Sequence, residues 1–339
     1  MNAAIICTCG NAISHDITMN FVTLLWLQLD SINASGTLPE EVGYLRDLKH
    51  FRMEGNSIGG SIPTTFSLLS ELVMLDVGQN KLIGTLPNLT NYTKMRVLRL
   101  SLNQLAGGIP DGLSSMKEIE ELNLKNNNLN GILPSSIGEL EKLTSFNCGR
   151  NLLSGTIPVE LYNAKLLRAM NLQGNRLSGR ISEEIGKLIY LEEIDLSDNE
   201  LMGTIPGSIG NAEDLLNLKM AGNNLEGSLE NLIISIENLS ILRELDISDN
   251  QLSGTIPVAI GQLKNLQRLN LSGNNFYGEV PLSFSNLNKL YVLDLSRNNV
   301  TGNVTYICAK EDYIPGIKFI VFAMDCKNIV ICGCCTSCF

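Results

Sequence analysis

Gly55-Asn56-Ser57-Ile58-Gly59 has the G-x-S-x-G spacing in which a serine on a sharp strand-to-helix turn becomes a nucleophile. Such a serine needs a histidine base and an acid that orients it. The 339 residues include 2 histidines, His15 and His50. Asn56 also belongs to a periodic series described below, so Ser57 falls in a recurring turn and not in an elbow. Carboxylate pairs such as Asp195 with Asp198, or Asp246 with Asp249, could serve acid–base chemistry or hold calcium. They recur once per period, which marks a solvated surface. The phosphate-loop, H-E-x-x-H and EF-hand patterns do not occur. We therefore expect no enzyme activity, no metal and no cofactor.

The cysteines divide by position. Cys308, Cys326, Cys332, Cys334, Cys335 and Cys338 crowd the C-terminus. Their C-x-C-C-x-x-C run lacks both the histidine and the paired C-x2-C spacing of a zinc site, so a disulfide-linked cap is expected, its connectivity open. Cys148 occupies an apolar slot and is expected to be a buried free thiol. The sequons at Asn33, Asn88, Asn91, Asn238, Asn299 and Asn303 are expected glycosylation sites, Asn88 and Asn91 foremost; a further one at Asn270 falls within a strand.

What remains is the chemistry of recognition. Trp26, His50 and Met74 put bulky groups at outward positions of successive short strands, and Arg52, Arg99 and Lys125 add cationic donors beside Asp76 and Asn123. Tryptophan and arginine are the types most enriched among residues that dominate binding energy. These eight residues form the expected ligand-binding surface.

The elements that position them are read from a repeat. Asn56, Asn80, Asn103, Asn127, Asn151, Asn175, Asn199, Asn223, Asn250, Asn274 and Asn298 recur every 24 residues, with one step of 23 and one of 27. Each follows an alternating apolar–polar stretch such as Leu245-Asp246-Ile247, a short strand with one face inward. The asparagine stands where the chain leaves that strand, and its amide can pair backbone groups that lack a partner in the turn. Four residues later comes a glycine, and three further on usually a proline. Proline favours an extended entry followed by a helical turn. One such unit cannot bury its own leucines, whereas stacked units share them.

The string Asn250-Gln251-Leu252-Ser253-Gly254-Thr255-Ile256-Pro257, with Ile260-Gly261-Gln262-Leu263, resembles the plant-type leucine-rich repeat. The resemblance spans about residues 24–305 in twelve copies, the first with Ile32 in the asparagine slot. It implies an α/β solenoid, a right-handed superhelix with short parallel strands on the concave face and 3-10 or short helical turns on the convex face. Residues 1–23 are then a partial N-terminal cap, 24–305 the repeats and 306–339 a cysteine-rich C-terminal cap. The tail is similar to those of microalgal secreted repeat proteins. Relatives include the ectodomains of receptor-like kinases and receptor-like proteins. The resemblance thus implies a non-catalytic module that recognises a protein or peptide, with a co-receptor as a further partner. Two other functions stay open: a secreted inhibitor of wall-degrading enzymes, and a structural wall or adhesion protein.

The formal charge of −10 disfavours nucleic acid. No run of about 20 apolar residues suits a membrane span. The sequons and cysteines point to an extracellular or cell-surface protein, with a signal or anchor expected outside this chain, and to a monomer.

Overall fold

The computed structural model describes residues 24–233 and 236–303, together with the strands Val321–Met324, Val330–Ile331 and Ser337–Cys338. The chain divides into two units, one of residues up to 167 with 174–176, the other of residues 168–173 and from 177 onward.

In the first unit, strands Trp26–Gln28, His50–Arg52, Met74–Asp76, Val97–Arg99, Glu121–Asn123 and Ser145–Asn147 pair in chain order, all parallel. Their middle residues Phe51, Leu75, Leu98, Leu122 and Phe146 are fully buried. Burial of one such side chain contributes about 1.5–3 kcal/mol, and each is walled by its counterparts in the next coil. Cys148 is buried among them, and burial pushes its thiol pKa up, as suits a small apolar filler. The opposite side carries 3-10 turns at Glu40–Tyr44, Thr64–Leu68, Asp111–Ser115, Ser135–Glu139 and Val159–Asn163, each preceded by a proline.

The second unit repeats the plan. Strands Ala169–Asn171, Glu193–Asp195, Asn217–Lys219, Glu244–Asp246, Arg268–Asn270 and Val292–Asp294 are parallel and in order. Val321–Met324 and Ser337–Cys338 extend the same sheet, so parallel pairing continues past residue 305. Where Ser182 replaces the proline, its hydroxyl accepts the backbone N–H of Glu184, and the backbone keeps the same extended entry at φ −74°. The long 27-residue step holds a short α-helix, Glu230–Ile233, ahead of the 3-10 turn Ile236–Asn238. Each unit is therefore a stretch of α/β solenoid with a strand face and a 3-10 side.

The asparagines form the expected row. Asn80 shows the pattern: its Oδ1 accepts the N–H of Ile58 in the preceding coil, and its Nδ2 donates to the carbonyls of Met53, Val77 and Gly78. Each amide thus joins two coils through backbone groups; the Gly78 carbonyl also accepts the Gly55 N–H, whereas the Ile58 N–H and the Met53 and Val77 carbonyls rely on asparagine amides. The expected bridges among Cys308, Cys326, Cys332, Cys334, Cys335 and Cys338 involve side chains outside the described residues, as does the N-terminal cap.

Candidate functional site

The strand face of the first unit carries the eight residues singled out above, and the sheet sets their spacing. Parallel register places Trp26, His50, Met74 and Val97 side by side in one column and Gln28, Arg52, Asp76 and Arg99 in the next, at about 4.8 Å per rung.

Trp26 and His50 stack with ring centroids 3.6 Å apart and planes 14° from parallel. Burial, and secondarily the nearby Lys49 ammonium, lowers the His50 pKa, so the imidazole is neutral at neutral pH. Its Nδ1 is buried without a hydrogen-bond partner.

The second column is an alternating ion ladder. Arg52 reaches Asp30 at 3.2 Å, Glu54 at 3.4 Å and Asp76 at 3.8 Å. Arg99 lies 3.5 Å from the same Asp76 oxygen and forks onto Glu121 at 2.7 and 2.6 Å. That paired hydrogen bond is the main cause of the raised Arg99 pKa. The arginines expected to add cationic donors are thus committed to carboxylates of their own and neighbouring coils. Asp76, expected to face outward, is 1% exposed, because a guanidinium covers it from either side. Its Oδ1 accepts the Gly78 N–H at 3.2 Å, while Oδ2 lacks a hydrogen bond and has only the two longer ion pairs. Burial raises its pKa, against the opposing pull of that N–H and of both arginines; Glu54 adds to the rise.

Linkage fixes the sign of the consequence. A carboxyl whose folded pKa is raised binds its proton more tightly in the native state, so its contribution to stability is lost as pH rises from the unfolded value of 3.8 through the folded one. Asn123 and Asn147 occupy the same slot in later coils and make the same bond to the N–H two residues on. Asp76→Asn keeps that bond and removes the titration. We expect the stability difference, variant minus parent, to grow in the variant's favour from about pH 4 to pH 7 in urea unfolding. A difference that grows toward acid instead would mean that the arginines dominate over burial.

Met74 and Val97, further along the first column, are half-exposed. Asn123 is spent on the backbone N–H of Lys125, and no carboxylate lies within ion-pair distance of the Lys125 ammonium among the described residues. The carboxylates Asp30, Glu54 and Glu121 are the part of the site that reading each coil separately misses. Their signal is the sign alternation across neighbouring coils.

Of the sequons, Asn33, Asn88, Asn91, Asn238 and Asn299 are exposed, and none lies in a strand of the strand face. Asn270 does, and it is tied to Asp246, Ser248 and Ser272. The Asn303 side chain is outside the described residues. No metal-ligating cluster and no helix long and apolar enough to cross a membrane occur among the described residues.

Family models described as leucine rich repeat match residues 234–276, 118–140, 166–188 and 190–212. With the asparagine row and the parallel coils, these matches place leucine-rich repeats along the chain. The chain is similar to plant-type leucine-rich repeat proteins. This leucine-rich repeat chain is 32% identical over 102 residues to receptor-like protein 41 of Arabidopsis thaliana, a match covering 30% of the chain and 12% of that protein. Its fold is similar to the crystal structure of a TDR receptor, with 32% identity and TM-score 0.82 over 89% of this chain and 51% of that one. It is also similar to the ectodomain of the Arabidopsis receptor kinase HAESA in complex with an IDA peptide hormone, with 32% identity and TM-score 0.77 over 83% and 47%. The repeats thus match about half of each solved ectodomain and about a tenth of the curated relative.

Proposed function

We propose that the strand face of the first unit recognises a peptide or a protein segment, and that the chain is the ectodomain, or part of it, of an extracellular or cell-surface receptor-like protein. The observation that carries the reading is what the ion ladder leaves unpaired. Met74 and Val97 present apolar surface and Lys125 a cation on consecutive coils, beside the Trp26–His50 stack. Trp26 and Lys125 are four rungs apart, about 19 Å, which an extended segment of about six residues spans. Arg52, Asp76, Arg99 and Asn123 hold the surface in shape and contribute their outer edges. The resemblance to ectodomains solved with peptide hormones supports the same reading. Glycans at Asn33, Asn88, Asn91, Asn238 and Asn299 would leave the strand face open, and a co-receptor is the partner to look for next.

Selection from a library of random linear peptides displayed against the purified chain tests it. The selected peptides should lose about tenfold or more in affinity when Met74 or Lys125 becomes alanine. They should be indifferent to Lys142→Ala, whose ion pair with Glu118 lies outside the strands. Selected peptides that bind the Met74→Ala/Lys125→Ala variant as well as the parent would overturn the assignment.

A further inference from the structure

Trp26 is the one tryptophan of the chain. It sits on the first described strand, 59% exposed, with one face on His50 and no second ring on the other among the described residues. Next to this plate runs a line of planar polar groups. Gln28 donates to Asp30 at 2.7 Å, Asp30 pairs with Arg52, Arg52 with Glu54, and the Gln79 amide donates to Glu54 at 2.8 Å. Beneath them Arg52 Nε and Asp76 Oδ2 are buried without a hydrogen-bond partner.

From these groups we infer a subsite for a neutral polysaccharide chain, in which Trp26 stacks on the C–H face of a pyranose while Gln28, Asp30, Arg52, Glu54 and Gln79 bind its hydroxyls. A sugar ring has an apolar face and a rim of groups that both donate and accept. The indole supplies the matching apolar plate. Carboxylates supply only acceptors and a guanidinium only donors, and each retains sites beyond those used in the ladder. Charge selects for neutrality. Asp30, Glu54, Asp76 and Glu121 outnumber Arg52 and Arg99, and the chain as a whole carries −10. An acidic polysaccharide is repelled, and a cationic ligand must compete with arginines already in place. Neutral hydroxyls need displace neither. His50 contributes by remaining uncharged behind the plate.

This subsite goes beyond the peptide reading and fails separately from it, because that reading is tested at Met74 and Lys125. The single tryptophan makes emission a direct probe. In the free chain, emission should be red-shifted and quenched by acrylamide. Titration with cellohexaose, mannohexaose and laminarihexaose should give a saturable change with at least one of them, and hexagalacturonate should bind more weakly. Gln28→Ala, which retains Trp26, should weaken that sugar about tenfold at unchanged urea midpoint, and Trp26→Ala should abolish its heat of binding in calorimetry. The inference is overturned if none of the three neutral sugars gives a saturable change, if hexagalacturonate binds tighter than all of them, or if Trp26→Ala binds as the parent does.

Discussion

Asn127→Ala should cost about 3 kcal/mol of unfolding free energy, among the largest losses for one side chain in this chain. Asn127 Oδ1 accepts the buried N–H of Leu105 at 3.0 Å, and its Nδ2 donates to the carbonyls of Leu100 and Leu124 at 3.0 and 3.1 Å. Those carbonyls are shared: Asn103 also donates to Leu100 and Asn151 to Leu124. Alanine therefore halves the bonding of two acceptors and orphans one donor. An orphaned buried group costs about 1–3 kcal/mol, and each lost hydrogen bond about 1 kcal/mol. Asn127→Asp should be worse than alanine at neutral pH. Its carboxylate could accept from Leu105 but would face the Leu100 and Leu124 carbonyls with a buried charge and no proton. That variant should recover toward acid, as protonation restores a donor. Urea unfolding of the three proteins near neutral and at acid pH measures both effects. A loss below about 1 kcal/mol for Asn127→Ala would mean that water or a local shift pairs the Leu105 N–H, and that the row contributes little to cohesion.

The asparagine row was legible because its chemistry is local and obligatory. One residue type can bond up and down the backbone at that turn, so it recurs and the period shows. The periodic glycine was legible for the same reason: Gly131, at φ +79°, stands for a conformation that other residues enter reluctantly. A second left-handed position, just before each ladder asparagine, was not. It holds glycine in some coils, Gly55, Gly174, Gly222 and Gly273, but Gln79, Leu102, Asn126, Arg150 and Asp198 in others, these five all near φ 55°, so glycine marks it only intermittently. There the coil geometry dictates the backbone, and the exposed side chain varies freely. The site divides similarly. Its outward columns follow from the period of two along each strand. The fate of the charges does not, because Arg52 and Arg99 are neutralised by residues about a coil away in sequence. Asp76 reads as a surface carboxylate until both arginines are laid over it. A list of cations by position thus overstates what a ligand can reach; among the described residues Lys125 is an uncommitted cation on that face.

Gly138→Ala should destabilise the first unit by about 3 kcal/mol, at the upper end of what overpacking costs. A Cβ at Gly138 would fall 2.1 Å from the carbonyl oxygen of Glu160 in the next coil and 2.6 Å from its carbon. Both are backbone atoms, which cannot swing aside as a side-chain tip can. At the same turn position Gly43, after Val42, and Gly261, after Ile260, meet the next coil the same way, at 2.4 Å from Thr65 and 2.4 Å from Ser283. The glycine in that pair is therefore a spacer between stacked 3-10 turns. The position is not barred everywhere, since Ser67, Ser114 and Ser285 follow the buried residue of their own turns. What bars it at Gly138 is the closeness of Glu160, so an added methyl must spread the two coils by about 1 Å, against the hydrogen bonds that Asn151 makes between them with the Leu129 N–H and the Leu124 carbonyl. Gly131→Ala separates this cause from backbone strain. At φ +79° alanine is strained there, but the nearest atom to its Cβ would be 3.9 Å away, so the cost should be about 1–2 kcal/mol. Urea midpoints that rank Gly138→Ala as the more damaging of the two would locate the intolerance in the packing between coils. The reverse ranking would show that the coils part easily and that turn conformation, not stacking distance, limits what the repeat accepts.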